Sequence, residues 1–588
     1  MEGRKVMNMK RFIALIMAFV MVLLVSVPVY AGSTDTYTIT INSDKSGHTY
    51  EAYQIFAGEV SADKTTLSDI TWGSGVDSSS YDAIYSALAA ITVTSDTDTY
   101  YPFTNTPTAS GGSALTSAAD VAAALAAYPD AAEDFAQVIS QYLSTTHTDS
   151  TETTSLYTID VTGSGYYLIE DADGSVTTAG DAYTDIILEV VADVTATSKS
   201  VYPSVTKSVD NEDVSIGDPI LYTLTGYIPD TSAYTNGYTY IFHDTLASGL
   251  DCYSSDPSAI GASVYTPADV SSDFDQSTTY YIVNSDGELV ATTDSSPVTG
   301  TTYYTQSSLG YSRDYTVSID DSNKATTGTA ITVTIVDAEQ YSKSYVVVVY
   351  TAKLNSYAVI GNDGNTNSVK VTYSNNPNVS DPTTATNDTP NAEVVTFTYE
   401  LDVTKIDGST ESNPTPTTLE NAEFVLYRYQ SDGTTIEYVT VDSDNKVTGW
   451  TTTEPSTATF VTGTDGKISV IGLDEGTYYL KETKAPDGYN SITSPIKIEI
   501  VATLEDTDND GLDEVKSLTV EVDNGGTVET TDTDKGSVSV TVKNNAGSVM
   551  PSTGGIGVTV YVVGGLVLIV AALGVLMAVK VKGKKNGN

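Results

Sequence analysis

Two lysines stand where a lysine is costly. Lys207, in Val205-Thr206-Lys207-Ser208-Val209, and Lys405, in Leu401-Asp402-Val403-Thr404-Lys405, each lie in an apolar stretch of the kind that opens a sandwich strand. A lysine on the buried side of such a strand loses its hydration, and desolvation drives its pKa down toward a neutral, nucleophilic amine. An adjacent asparagine side chain is then an electrophile. A buried carboxylic acid, kept protonated by the same apolar surroundings, can donate a hydrogen bond to the amide oxygen and help ammonia leave. The product is a Lys–Asn isopeptide bond, which replaces a buried ion with a neutral link between the first and last strands. The competing reading is that both lysines are solvated strand-end charges.

Other chemistries find little support. The single cysteine, Cys252, cannot close an intramolecular disulfide and reads as a small buried residue or a stray thiol; three histidines (His48, His147, His243) are too few for most metal or triad chemistry. Gly-rich phosphate loops, His-Glu-x-x-His, Gly-x-Ser-x-Gly and paired-cysteine sites are absent, so no enzyme, cofactor or metal is expected. Asp506-Thr507-Asp508-Asn509-Asp510-Gly511 has the spacing of half a calcium loop, but Ser517 stands where the bidentate glutamate belongs, and a solvated acidic turn is the preferred reading. With 76 acidic against 27 basic residues the net charge is −49, which argues against nucleic acid as a partner. Forty-one tyrosines and a 40% hydrophobic content argue equally against disorder.

The elements that must position the lysines are strands. At 588 residues the chain holds about three or four domains of the usual ~150 residues. Residues 1–31 read as a secretory signal, with a basic start, an apolar run and Val29-Tyr30-Ala31 at the cleavage site. Residues 32–198 form a β-domain with a helical insertion: Tyr37-Thr38-Ile39-Thr40-Ile41 alternates, whereas the alanine-rich runs at 81–91 and 117–143 have helical spacing, the second capped by Ser117 with Asp120 and broken by Pro129. Residues 199–397 suit a Greek-key sandwich enlarged by inserted, exposed, tyrosine-rich hairpins at about 253–313, and residues 398–546 repeat the plan. The fold class is therefore mainly β, tandem immunoglobulin-like Greek-key sandwiches. Residues 547–588 hold an apolar stretch at 558–579, long enough to cross a ~30 Å hydrocarbon core, followed by four lysines that place the tail in the cytosol and the acidic body outside.

Before that stretch stands Met550-Pro551-Ser552-Thr553-Gly554-Gly555. The order Pro-x-Thr-Gly, apolar span, lysine tail resembles the cell-wall sorting signal of Gram-positive bacteria, with Met550 in place of the usual leucine. The resemblance implies that sortase cleaves Thr553-Gly554, holds the threonyl group as a thioester and passes it to an amine. Gly476-Thr477-Tyr478-Tyr479-Leu480-Lys481-Glu482-Thr483-Lys484-Ala485-Pro486-Asp487-Gly488-Tyr489 resembles the "E-box" of Gram-positive pilins, within a domain similar to the B-type repeat of collagen adhesins.

Together these motifs resemble the shaft, or backbone, subunit of a sortase-assembled pilus. That family implies Lys405, Glu482 and Asn544 as the isopeptide group of the third domain, with Asn545 competing, and Lys207, Asp244 and Asn367 as that of the second, with Asn362 and Asn375 competing. Glu482 and Asp244 are the implied catalytic acids. The intersubunit acceptor is usually the lysine of Tyr-Pro-Lys between the first two domains; here Tyr202-Pro203 is followed by Ser204, and Lys199 is the candidate. The implied partners are sortase, identical subunits, and peptidoglycan or a base pilin, on a wall-anchored exported chain. The alternatives are a monomeric wall-anchored adhesin whose tyrosine-rich insertion binds a host protein or glycan, and, less favoured, a surface hydrolase.

Overall fold

The computed structural model describes residues 35–547, apart from 44, 63–65, 96–97, 109–110, 154–155, 199–201, 271–273, 276 and 286, together with the helix Gly557–Gly583. The secretory signal, Lys199 and the motif Met550 to Gly554 lie outside the described residues.

Alternation builds the opening strand. Along Thr36–Asn42 the buried Tyr37, Ile39 and Ile41 alternate with more exposed neighbours, and the strand pairs antiparallel with Leu156–Thr162 and parallel with Val194–Thr197. The facing sheet runs Asp185–Val190, Gly165–Asp171, Tyr50–Val60, Leu67–Trp72. One of its faces supplies Tyr50, Ala52, Tyr167 and Ile169 to the sandwich core, and the other packs Ile55, Phe56, Tyr166 and Leu168 against the helices. A strand covered on both faces loses its alternation, and Gly165–Asp171 is buried at every position but one. The helical insertion comprises Tyr81–Leu88, Ala118–Ala127 and Ala132–Ser140. Ser117 Oγ accepts the Asp120 N–H at 3.1 Å, and Pro129 breaks the second alanine-rich run through the 3₁₀ turn Pro129–Ala131.

The second sandwich sets Ser204–Val209, Pro219–Ile228 and Ser344–Leu354 in one sheet, opposite Thr329–Ile335, Tyr240–Leu246 and Asn365–Ser374 in the other. The segment expected as inserted, exposed hairpins pairs as antiparallel hairpins that join a sheet. Gly261–Pro267, Tyr304–Ser308, Tyr280–Val283 and Leu289–Ala291 add in that order beyond Ser344–Leu354 and extend the first sheet. Tyr303 and Tyr304 are consequently buried, with the Tyr303 hydroxyl donating to Asp294 at 2.8 Å, while Tyr280 and Tyr281 are half-buried. Cys252 is half-buried, its thiol pushed up by burial.

In the third sandwich the opening strand Tyr399–Asp407 lies between Lys467–Leu473, antiparallel, and the closing strand Ser537–Asn544, parallel. Glu423–Tyr429, Gly476–Lys484 and Ile496–Glu505 form the centre of the facing sheet. A continuous apolar core joins the second and third sandwiches, and backbone bonds from Val214 N–H to Phe397 and from Ile216 N–H to Gly472 stitch the joint.

The C-terminal helix is apolar and exposed from Val563 to Met577, about 22 Å of helix at 1.5 Å per residue. Among the described residues no helix is long and apolar enough to cross a membrane.

Candidate functional site

Pleating sets the third-domain centre. Tyr399, Leu401 and Val403 point into the core, and Lys405 takes the next inward position of the same alternation. The parallel register places Lys405 opposite Val542 and Asp407 opposite Asn544, so Lys405 and Asn544 share one face a single pleat apart. Glu482 reaches them from the facing sheet, inward after Tyr478 and Leu480.

The side chains of Lys405 and Glu482 are both fully buried, with Nζ 3.1 Å from Oε1. Glu482 Oε2 accepts the Ile492 N–H at 2.8 Å and Asn544 Nδ2–H at 3.1 Å, and the same amide nitrogen donates to the Asn490 carbonyl at 2.8 Å. Phe424 lies under the ammonium, 5.4 Å from its ring centroid. Burial pushes Lys405 down to about 8, with Glu482 opposing.

The second centre is assembled from different strands. Lys207 projects from Ser204–Val209 across the sandwich, and Asp244 and Asn367 lie on adjacent antiparallel strands, with Leu246 opposite Asn367 and Asp244 opposite Val369. Lys207 Nζ donates to both Asp244 oxygens at 2.9 Å, both side chains fully buried. Burial pushes the Lys207 amine down and the Asp244 carboxyl up, each partly opposed by the other, which favours moving the proton from nitrogen to oxygen. Tyr350 bridges lysine and asparagine: its hydroxyl is 3.4 Å from Lys207 Nζ and accepts Asn367 Nδ2–H at 2.7 Å.

Both centres hold orphaned polar atoms. Lys405 Nζ, Glu482 Oε1, Asn544 Oδ1 and Asn367 Oδ1 are buried and complete no directed hydrogen bond. Lys405 and Glu482 thus stand at ion-pair distance without hydrogen-bond alignment. Each buried group left unsatisfied costs about 1–3 kcal/mol, and condensation to a neutral amide would remove the lysine charge. The chemistry available is proton transfer from Nζ to the carboxylate, followed by attack of the amine on the asparagine Cγ.

One detail departs from expectation. The acid faces the amide nitrogen of Asn544 and not its oxygen, because Nδ2 is held between Glu482 and the Asn490 carbonyl. Glu482 is therefore positioned to take a proton from the lysine and return one to the leaving nitrogen. A second departure concerns strand order. Asn544 ends the closing strand of its domain, whereas Asn367 lies in Asn365–Ser374, and Ala392–Thr396 still follows it.

The competing asparagines lie elsewhere. Asn545 is exposed; Asn362 Oδ1 accepts the Val515 N–H at 2.8 Å; the Asn375 carbonyl accepts the Tyr183 N–H at 2.9 Å. Tyr350 and Phe424 carry no motif of their own; the trace of Tyr350 in the sequence is its inward place in the alternating strand Ser344–Leu354. The acidic loop brings carboxylates of Asp506, Asp508, Asp510 and Glu514 within 4.8 Å of one another on an exposed hairpin turn, with Glu514 in place of a residue at position 517.

The third sandwich has a recognisable sequence. Residues 400–514 match the SpaA prealbumin-like fold domain. Around this SpaA-like domain the chain is similar over most of its length to Gram-positive backbone pilins. The T6 backbone pilin of serotype M6 Streptococcus pyogenes is 15% identical with a TM-score of 0.48, covering 88% of this chain and 99% of that one. The major pilin SpaD of Corynebacterium diphtheriae is 17% identical with a TM-score of 0.44, covering 87% and 98%. The group B streptococcus pilus 2b backbone protein is 26% identical with a TM-score of 0.32, covering 58% and 98%. No curated protein matches the sequence. These likenesses carry no residue roles.

Proposed function

We propose that the chain is the structural shaft subunit of a covalently polymerised surface pilus, with Lys207–Asn367 and Lys405–Asn544 isopeptide bonds inside its second and third sandwiches. The observation that carries this reading is that a fully buried lysine of an opening strand meets a buried carboxyl twice, with an asparagine amide donating to that carboxyl in the third sandwich and to the Tyr350 hydroxyl beside the lysine in the second. In each centre the ammonium gives a proton to the carboxylate and the neutral Nζ bonds to the asparagine Cγ; the carboxyl then returns that proton to Nδ2 and takes the second Nζ proton as the Cγ–Nδ2 bond breaks and ammonia leaves. One C–N bond replaces another, and no oxidant is consumed.

The topology gives the bond a mechanical purpose. The opening and closing strands of the SpaA-like domain are parallel neighbours over Glu400 to Asp407 and Ser537 to Asn544. Tension entering at one and leaving at the other shears that pair, and a link from Lys405 to Asn544 carries the force past the rest of the domain. An exported fibre can then do without disulfides, consistent with a single cysteine.

Between subunits, sortase would cleave Thr553-Gly554 and transfer the threonyl group to Lys199 of the next copy. Such a head-to-tail contact is heterologous and propagates without closing. Residues 558–579 and the lysine tail would hold the precursor at the membrane until cleavage. The test is expression with a pilus sortase in a Gram-positive host: an SDS-resistant ladder that disappears in Lys199→Ala and in Thr553→Ala is expected. A single wall-linked band from the unaltered chain would refute the shaft reading in favour of a monomeric adhesin.

A further inference from the structure

Away from the lysine centres, one histidine and two carboxylates of the first sandwich have no part in the chemistry above. We propose that Glu51, His147 and Asp149 form a surface site for a divalent first-row transition metal, with Zn²⁺ the best fit.

The backbone brings the three together. After the helical insertion the chain returns as the two-residue strand Thr148–Asp149, which pairs with Tyr50–Val60 so that Asp149 lies directly opposite Glu51. Two like charges directly opposite in a sheet are destabilising unless a cation lies between them. His147, the residue before that strand, aims its Nε2 at both, 3.6 Å from Glu51 Oε1 and 3.3 Å from Asp149 Oδ1. These separations exceed the about 2.7–2.9 Å of charge-assisted hydrogen bonds. They fit instead the edge of a tetrahedron, about 3.3–3.5 Å when nitrogen and oxygen ligands lie about 2.0–2.2 Å from a zinc ion. One ligand atom from each of the three residues lies within 4.8 Å of the others.

Supporting contacts fix the ligands. The Tyr53 hydroxyl donates to Glu51 Oε2, which leaves Oε1 turned toward the histidine, and the Tyr53 ring lies 5.1 Å from the His147 ring. Partners of this kind orient metal ligands and raise affinity. The side chains are 22%, 29% and 62% exposed for Glu51, His147 and Asp149, so an ion has an entry path and a fourth corner open to water. The imidazole separates this set from calcium and magnesium sites, which are built from oxygen alone. A bound ion would fasten the short returning strand, and with it the end of the helical insertion, to the edge of the sheet.

The test is calorimetric titration of the purified full chain with ZnCl₂ in a non-coordinating buffer, alongside His147→Ala and, as a control on the unrelated acidic loop, Asp508→Asn. One micromolar Zn²⁺ event per chain is expected, weakened at least about tenfold by His147→Ala, unchanged by Asp508→Asn and not displaced by equimolar CaCl₂. Co²⁺ in place of Zn²⁺ should give the visible bands of a four-coordinate centre. Because His147 is exposed its replacement should leave the fold intact, which circular dichroism checks. The absence of a stoichiometric event, or one that survives His147→Ala, would overturn the proposal.

Discussion

Replacing Glu482 by glutamine separates the covalent link from everything else in the SpaA-like domain. The amide is isosteric and can still accept the Ile492 N–H, but it cannot take the lysine proton. Burial pushes Lys405 down to about 8 against the opposing Glu482, so removing the carboxylate shifts the amine further toward its neutral form and the loss reads mainly the missing loop closure. A link from Lys405 to Asn544 closes a loop of about 140 residues, whose chain-entropy value is about 5 kcal/mol at 25 °C. For a domain of this size about 2–4 °C accompanies each kcal/mol, so the domain's melting temperature should fall by about 10–20 °C. Differential scanning calorimetry measures the shift, and mass spectrometry of the same samples shows whether the variant has regained about 17 Da, the ammonia of one bond. A variant that keeps the lighter mass would refute the role of Glu482. One that gains the mass but melts within about 3 °C of the parent would refute the loop-closure argument.

Three further outcomes follow from other contacts. Tyr350→Phe removes the hydroxyl between Lys207 and Asn367; the second bond should form more slowly while the third-domain bond is unaffected, as a time course of peptide masses would reveal. His48 sits between Asp171 at 2.6 Å and Asp181 at 2.9 Å; burial lowers its pKa, but the two acids outweigh it and raise the value to about 10. Because that is above the ordinary 6.5, its contribution to first-domain stability is complete below pH 6.5 and lost as pH rises through about 10. His48→Gln should remove that pH slope and cost about 3–5 kcal/mol at neutral pH, read by urea unfolding at several pH values. At the joint between the second and third sandwiches burial pushes Asp213 up to about 7, with the Tyr399 hydroxyl donating to it at 2.7 Å. The folded state holds that proton more tightly than the unfolded chain, so the contribution is present below pH 3.8 and is lost as pH rises through about 7. Asp213→Asn should flatten this dependence in melting curves at pH 5 and pH 8.

What could be read from the sequence was what local periodicity encodes. The inward position of Lys405 follows from Tyr399, Leu401 and Val403 before it, and the Ser117 cap and the Pro129 break appear where their chemistry requires. What escaped is set by strands that meet only in three dimensions. Tyr350 is 143 residues from Lys207, and His48 is 123 from Asp171, so no spacing announces either contact. The direction of the Asn544 amide depends on the Asn490 carbonyl, which belongs to a loop. The segment at 253–313 shows the same limit: its strands do pair as hairpins, but only the free edge of Gly261–Pro267 determines that they extend the sheet and bury Tyr303 and Tyr304.

The intact mass of the purified chain tests the central claim most directly. Two condensations predict a mass about 34 Da below that of the unmodified sequence, with protease fragments joining Lys405 to Asn544 and Lys207 to Asn367. A full unmodified mass would contradict the account, because both centres would then be no more than buried ion pairs.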